Sequence, residues 1–121
     1  MMVTRLPDRA SLDAAYEAAW AENAHKIGEW ELWPATGEVR YAGRIVGEVR
    51  GQEAQVLEYL MQRWPNPART FNIESDLLLA PKGAKVLVHH LRRQFGAGFI
   101  VSKGRVYSAY TFNPEASPCV A

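Results

Sequence analysis

Between Lys82 and Tyr107 the chain changes its hydrophobic period, and this restricts the fold more than any other stretch. At about 100° per residue, Ala84, Leu87, Val88, Leu91 and Phe95 share one sector and predict a helix over 82–95 with a packing face. Lys82, Lys85, His89, Arg92 and Arg93 lie on the far side, with Val86 and His90 at its edge. Phe99, Ile100 and Val101 then run extended into Ser102-Lys103-Gly104-Arg105, a turn with glycine near its tip. Val106, Tyr107 and Tyr110 resume a strand-like pattern. The expected unit is an amphipathic basic helix followed by a basic hairpin.

Charge is unevenly distributed around that unit. Residues 1–76 carry 8 Lys/Arg and 12 Asp/Glu, whereas residues 77–114 carry 6 Lys/Arg and no carboxylate, although the whole chain has a formal charge of only +1. A field of one sign confined to one segment attracts a polyanion locally, whatever the net charge. The plain alternative is a solvated helix face. The 121 residues suffice for one compact core, and 48% hydrophobic with 22% charged residues is ordinary globular composition. No apolar run approaches the roughly 18 residues of a membrane span, so no membrane partner is expected and the cytoplasm is the expected location. A lone cysteine, Cys119, allows neither an intramolecular disulfide nor a cysteine-rich metal site.

In chain order, 1–8 is expected to be a loose arm. Ser11 is a candidate N-cap, and Leu12, Tyr16, Ala19, Trp20, Asn23 and Ile27 mark an amphipathic helix ending at Gly28. Its stripe serves core packing or, alternatively, a homodimer through the 11–27 helix. Three short alternating runs follow between Glu29 and Val49, separated by Pro34-Ala35-Thr36-Gly37 and Ala42-Gly43, as in an antiparallel meander. Trp33 is read either as a surface stacking residue or as packing against a neighbouring helix. Val56, Leu57, Leu60, Met61 and Trp64 give a helix over 52–64, closed by Pro65-Asn66-Pro67. A shorter helix is expected within 72–79, and Pro81 is placed to open the basic helix at Lys82. The fold class is α+β: a strand meander, a three-helix core, a C-terminal hairpin and an extra N-terminal helix. The expected division is an arm and helix over 1–28, a domain over 29–113 and a tail over 114–121.

With these residues in this order, the region 30–112 resembles the winged helix-turn-helix effector domain of the OmpR/PhoB family of bacterial response regulators. Val49-Arg50-Gly51-Gln52-Glu53 with Leu57 and Leu60 is similar to the entry of that family's first helix. Val86, Val88, Leu91, Arg92, Arg93 and Phe95 match the rhythm of its recognition helix, and Lys103-Gly104-Arg105-Val106-Tyr107 is similar to its wing turn. Arg50 stands where a capping Thr or Ser is usual, Val106 replaces the second wing glycine, and Ala80-Pro81-Lys82-Gly83 is shorter than the family's usual loop. That loop commonly touches RNA polymerase in family members. Here the helix over 11–27 takes the place of a receiver domain, so phosphorylation control is not implied.

The resemblance implies a sequence-specific double-stranded DNA-binding protein, a bacterial or phage transcriptional regulator. Helix 82–95 would occupy the major groove and wing 99–110 the backbone or minor groove. Val86 would touch a thymine methyl, and His90 would reach a base edge, where a histidine can donate to guanine N7 or O6. Lys82, Lys85, His89, Arg92 and Arg93 would contact phosphates, with Lys103 and Arg105 gripping from the wing. A structural alternative pairs Arg92 with Glu53 or Glu58.

Catalytic patterns are missing from the sequence. His89 and His90 are neighbours about 100° apart on a helix and cannot chelate one metal together. There is no zinc-ligand spacing, phosphate-binding glycine loop or nucleophile elbow. No enzyme, cofactor or metal is expected. The alternative from a different class is a winged-helix module that binds protein and regulates a larger machine such as RNA polymerase.

Overall fold

A computed structural model describes residues 9–104 and 108–118 of the chain. Four antiparallel strands form the first sheet in the order β1-β2-β3-β4: β1 (His25–Ile27), β2 (Trp30–Trp33), β3 (Glu38–Tyr41) and β4 (Arg44–Glu48). Strand alternation sends Trp30, Leu32 and Val39 inward, and all three are buried. The turn before β3 requires glycine: Gly37 has φ +78°, and a Cβ there would come within 1.9 Å of the Val49 carbonyl oxygen.

The first strand corrects the expected helix over 11–27. Helix α1 spans Arg9–Asn23, so Ser11 lies inside it and not at its N-cap. Asn23 folds its side-chain amide onto the Ala19 carbonyl, 2.8 Å away, at the last turn. Residues 25–27 then pair with β2 in the register His25↔Leu32, Lys26↔Glu31 and Ile27↔Trp30. Ile27 had fitted the helical stripe, but in the fold it belongs to a strand.

Helix α1 lies on the outer face of this sheet. Buried Trp20 meets Trp33 edge-on at 5.4 Å, and Tyr16 approaches both rings. Of the two roles considered for Trp33, packing against a helix is therefore the one observed. Arg40 fills the space between helix and sheet and is only 4% exposed. Its guanidinium sits 4.0 Å from the Trp20 ring centroid and 5.0 Å from that of Tyr16, and Nη1 donates to Glu17 Oε2 at 3.0 Å. Burial pulls the arginine pKa down, but the bonds to Glu17 and Tyr16 outweigh this and leave it raised. The charge is thereby paired and sandwiched, the condition for burying it.

The inner face receives three helices: α2 (Gly51–Arg63), α3 (Thr70–Asp76) and α4 (Gly83–Phe95). Val56, Leu57 and Leu60 of α2 and Leu87, Val88, Leu91 and Phe95 of α4 form one buried cluster with Ile73 and Trp30, as the stripes predict. Helix boundaries differ from expectation: α2 covers 51–63 and not 52–64, and Trp64, expected in its stripe, caps the helix and is exposed. Helix α3 begins at Thr70, earlier than residue 72, and stops before Leu78, which has φ +55°. Helix α4 begins at Gly83 because Lys82 adopts a left-handed φ of +66° in the turn closed by Gly83 N–H on Ala80 O. Glu74 Oε2 accepts from the Ala84 N–H at 3.2 Å and occupies one of the free donors of that helix start.

A second sheet has the order β5-β7-β6, with β5 (Ala68–Arg69), β6 (Ile100–Lys103) and β7 (Ala109–Phe112). Strand β5 was not expected; it pairs Ala68↔Tyr110 and Arg69↔Ala109. The expected run through Val106 and Tyr107, and the turn residue Arg105, lie outside the described residues, as do the arm over 1–8 and Cys119. Beyond β7 the segment expected as a tail returns to the first sheet: Trp30 Nε1 donates to Ala116 O at 2.8 Å, and Tyr41 and Ser117 hydroxyls lie 3.4 Å apart.

On α2, Tyr59 donates to Asp76 Oδ2 at 2.6 Å, and Arg63 Nη2 donates to the same oxygen at 3.2 Å. Desolvation raises the tyrosine pKa, and the bond to Asp76 raises it further. A phenol held protonated more strongly in the folded state contributes stability below its unfolded pKa of about 10, and that contribution is lost as pH rises through the higher folded value. We therefore expect wild-type stability to fall more steeply than that of Tyr59→Phe above about pH 10. Denaturant midpoints of the two proteins across that alkaline range are the measurement; parallel curves would contradict it.

Candidate nucleic-acid interface

Helix α4 buries one face completely and presents the other. Lys82, Lys85, Val86, His89, His90 and Arg93 are exposed, whereas Ala84, Leu87, Val88, Leu91 and Phe95 are buried beneath them. Lys82 sits in the entering turn, so its backbone is not helical even though its side chain joins the exposed group. Lys103 is exposed at the end of β6, next to the hairpin tip. Arg105 lies outside the described residues. The structure thus brings together Lys82, Lys85, Val86, His89, His90 and Arg93 along one helix, with Lys103 on the hairpin that follows it.

Arg92 has a different environment from its basic neighbours. It is half-buried, with Nε donating to the Ile100 carbonyl at 2.9 Å and Nη2 to Ser102 Oγ at 2.9 Å. Its guanidinium also lies 5.6 Å from the Tyr110 ring centroid. These contacts fasten α4 to β6 and β7, so the helix and the hairpin hold a fixed relation. The bridge to Glu53 or Glu58 considered from sequence is not the bond Arg92 makes. Glu53 pairs instead with His90, Nδ1 to Oε1 at 3.1 Å, and Glu58 with His25 at 3.5 Å.

The partners of Arg92 could not be found from local pattern. Ser102 is 10 residues away and reaches Arg92 only after the chain reverses into β6. Gln94 was likewise passed over; its amide donates to Glu48 O at 2.9 Å and ties the end of α4 to β4. Gly47 lets that approach occur, since a Cβ there would meet the Phe95 ring at 2.7 Å. The signal available from sequence was Gly47 itself, an isolated glycine in a strand, which often marks close approach of another group.

Replacing Arg92 by Gln should remove both hydrogen bonds to the hairpin. Bonds from charged groups contribute about 1.5–3 kcal/mol each when well made, and solvent screening of the partly exposed guanidinium discounts the pair well below that sum, to an expected loss of about 1–2 kcal/mol. Arg93→Gln, on the exposed face, should leave stability within about 0.5 kcal/mol. Chemical denaturation of the two variants checks the contrast, and equal losses would refute it.

Among the described residues, no three His, Cys, Asp or Glu side chains gather where a metal ion could be held. Nor is any helix among them long and apolar enough to cross a membrane. The arrangement is a winged helix-turn-helix-like α+β fold with an added N-terminal helix, a class compatible with a DNA-binding regulatory role in general. Comparison with known proteins found no family model and no curated protein matching the chain.

Proposed function

We propose that the protein is a sequence-specific double-stranded DNA-binding regulator of transcription, similar in its reading unit to the OmpR/PhoB effector domains. It acts in the cytoplasm by binding and carries out no catalysis. Helix α4 enters the major groove, and the β6–β7 hairpin lies on the backbone or in the adjacent minor groove. The observation that carries this reading is the state of the α4 surface. Lys85 and Arg93 project from a helix whose opposite face is buried, Lys82 from the turn that enters it, and none has a carboxylate partner among the described residues. A row of unneutralised cations on a presented helix fits a polyphosphate backbone better than it fits structural pairing.

The test is binding to duplex DNA over a salt series. A linear fall of log affinity with log salt, together with enrichment of a motif from a random duplex pool, is expected. A flat salt response would refute the proposal. A second reading, contact with a protein such as RNA polymerase, draws on two side chains: Phe71 on α3 is 76% exposed, and Leu78 just beyond it is 88% exposed. Large apolar side chains presented in this way fit a protein surface better than a phosphate backbone. Binding that survives high salt and is lost in a Phe71→Ser, Leu78→Ser double variant would favour that role. A homodimer is less well supplied, because Trp20 is buried within its own chain and leaves Leu12 and Tyr16 as the exposed large apolar side chains of the stripe.

A further inference from the structure

We propose that Glu53 fixes the hydrogen-bonding character that His90 offers to DNA, and with it the bases α4 accepts at one position; this rests on the DNA-binding reading above. His90 Nδ1 lies 3.1 Å from Glu53 Oε1. An ionised carboxylate only accepts hydrogen bonds, so the ring nitrogen facing it carries the proton. A neutral imidazole has one N–H. With that N–H held at Nδ1, the other nitrogen, Nε2, is a lone-pair acceptor on a side chain that remains 46% exposed. The bond made by one ring nitrogen thereby decides what the other can do, as it does when a carboxylate orients a histidine elsewhere.

The major groove then discriminates between bases. Cytosine presents its N4 amino group and adenine its N6 amino group, whereas guanine presents two acceptors, N7 and O6. An accepting Nε2 matches the amino groups and meets guanine lone pair to lone pair. Considered without its partner, a histidine at this position is expected to donate to guanine. Glu53, from the neighbouring helix α2, removes that option for the neutral ring. The recess around the imidazole is lined by Glu53, Arg93 and Gln94, and the His89 ring lies 6.4 Å away. Glu53 from α2, with Arg93 and His89 from α4, are thus the titratable and charged groups facing the ring.

Glu53 acts here through His90 and is a positioning residue. The experiment selects bound sequences from a random duplex pool with the full chain at about pH 8, using wild type, His90→Ala and Glu53→Gln in parallel. Wild type should enrich cytosine or adenine over guanine by about fivefold or more at one position. His90→Ala should lose that preference at that position alone. Glu53→Gln, whose amide can donate to Nδ1 as well as accept from it, should admit guanine there while the other positions keep their bases. A variant that merely loosened the fold would weaken all positions together. Should Glu53→Gln not fold, Glu53→Ala serves the same purpose, since it also frees the tautomer. Guanine enriched by wild type at the His90-dependent position would overturn the inference. So would an unaltered profile in the Glu53 variant, or a bound motif in which no position responds to His90→Ala. In those three outcomes DNA binding itself stands; failure of wild type to bind any duplex would remove both readings.

Discussion

Trp30→Ala should destabilise the protein by about 3–5 kcal/mol, the range for deleting a large aromatic from a packed core. The indole is 1% exposed and meets four rings: Tyr41 at 4.9 Å, Phe95 at 5.9 Å, Phe99 at 4.6 Å and Phe112 at 6.5 Å. Those rings come from β3, the end of α4, the segment leading into β6, and β7, so one side chain joins the first sheet to the presented helix and its hairpin. Its Nε1 also holds the Ala116 carbonyl, drawing the final segment over the same sheet. A loss of this size is a large share of the roughly 5–15 kcal/mol that stabilises a typical domain. The variant should therefore be partly unfolded or melt far below wild type. Trp30→Phe keeps most of the apolar volume but gives up the bond to Ala116, and should lose clearly less. Denaturant unfolding followed by the remaining aromatic signals checks both. A Trp30→Ala protein as stable as wild type would mean that the sheet and helices are not organised around this residue.

The parts of this fold that sequence made visible are those whose stabilising pattern repeats within a few residues. The stripes of α2 and α4 specified their own buried faces, except for Trp64 at the end of α2, which is exposed, and Leu57, Leu60, Leu91 and Phe95 do form one core. The features that escaped depend on distant partners. Strand β5 is two residues long and exists because Ala109 and Tyr110 pair with it across about forty residues. Ile27 fitted a helical repeat by spacing, yet pairing with Trp30 across the Gly28 turn places it in β1. Arg40 alternates with Val39 as a solvent-facing residue would; the helix that covers it lies far upstream and is bound through Trp20 and Tyr16. The basic helix shows the same division. Its exposed cations follow from periodicity, but the hold of Arg92 on the hairpin and of Glu53 on His90 needs the folded chain.

Replacing Lys82, Lys85 and Arg93 together by glutamine should lower duplex affinity by roughly a thousandfold at about 50 mM salt and reduce the salt slope by about 2 to 3. Each cation that neutralises a phosphate releases about one condensed counterion, so the slope counts contacts independently of any sequence preference. The three residues are exposed and have no carboxylate partner among the described residues, so their removal should leave the core undisturbed. Stability should stay within about 1 kcal/mol of wild type, which separates this outcome from unfolding. Lys26→Gln provides the control: it removes a cation from β1, opposite Glu31 in the first sheet, and should leave the slope as it was. Because phosphate contacts position without reading, the motif enriched by the triple variant at low salt should match that of wild type. Titrations of the three proteins on one selected and one scrambled duplex measure all of this. An unchanged slope in the triple variant would show that α4 does not face the phosphates. A slope lost equally in the Lys26 control would show that the attraction is diffuse and not confined to that helix.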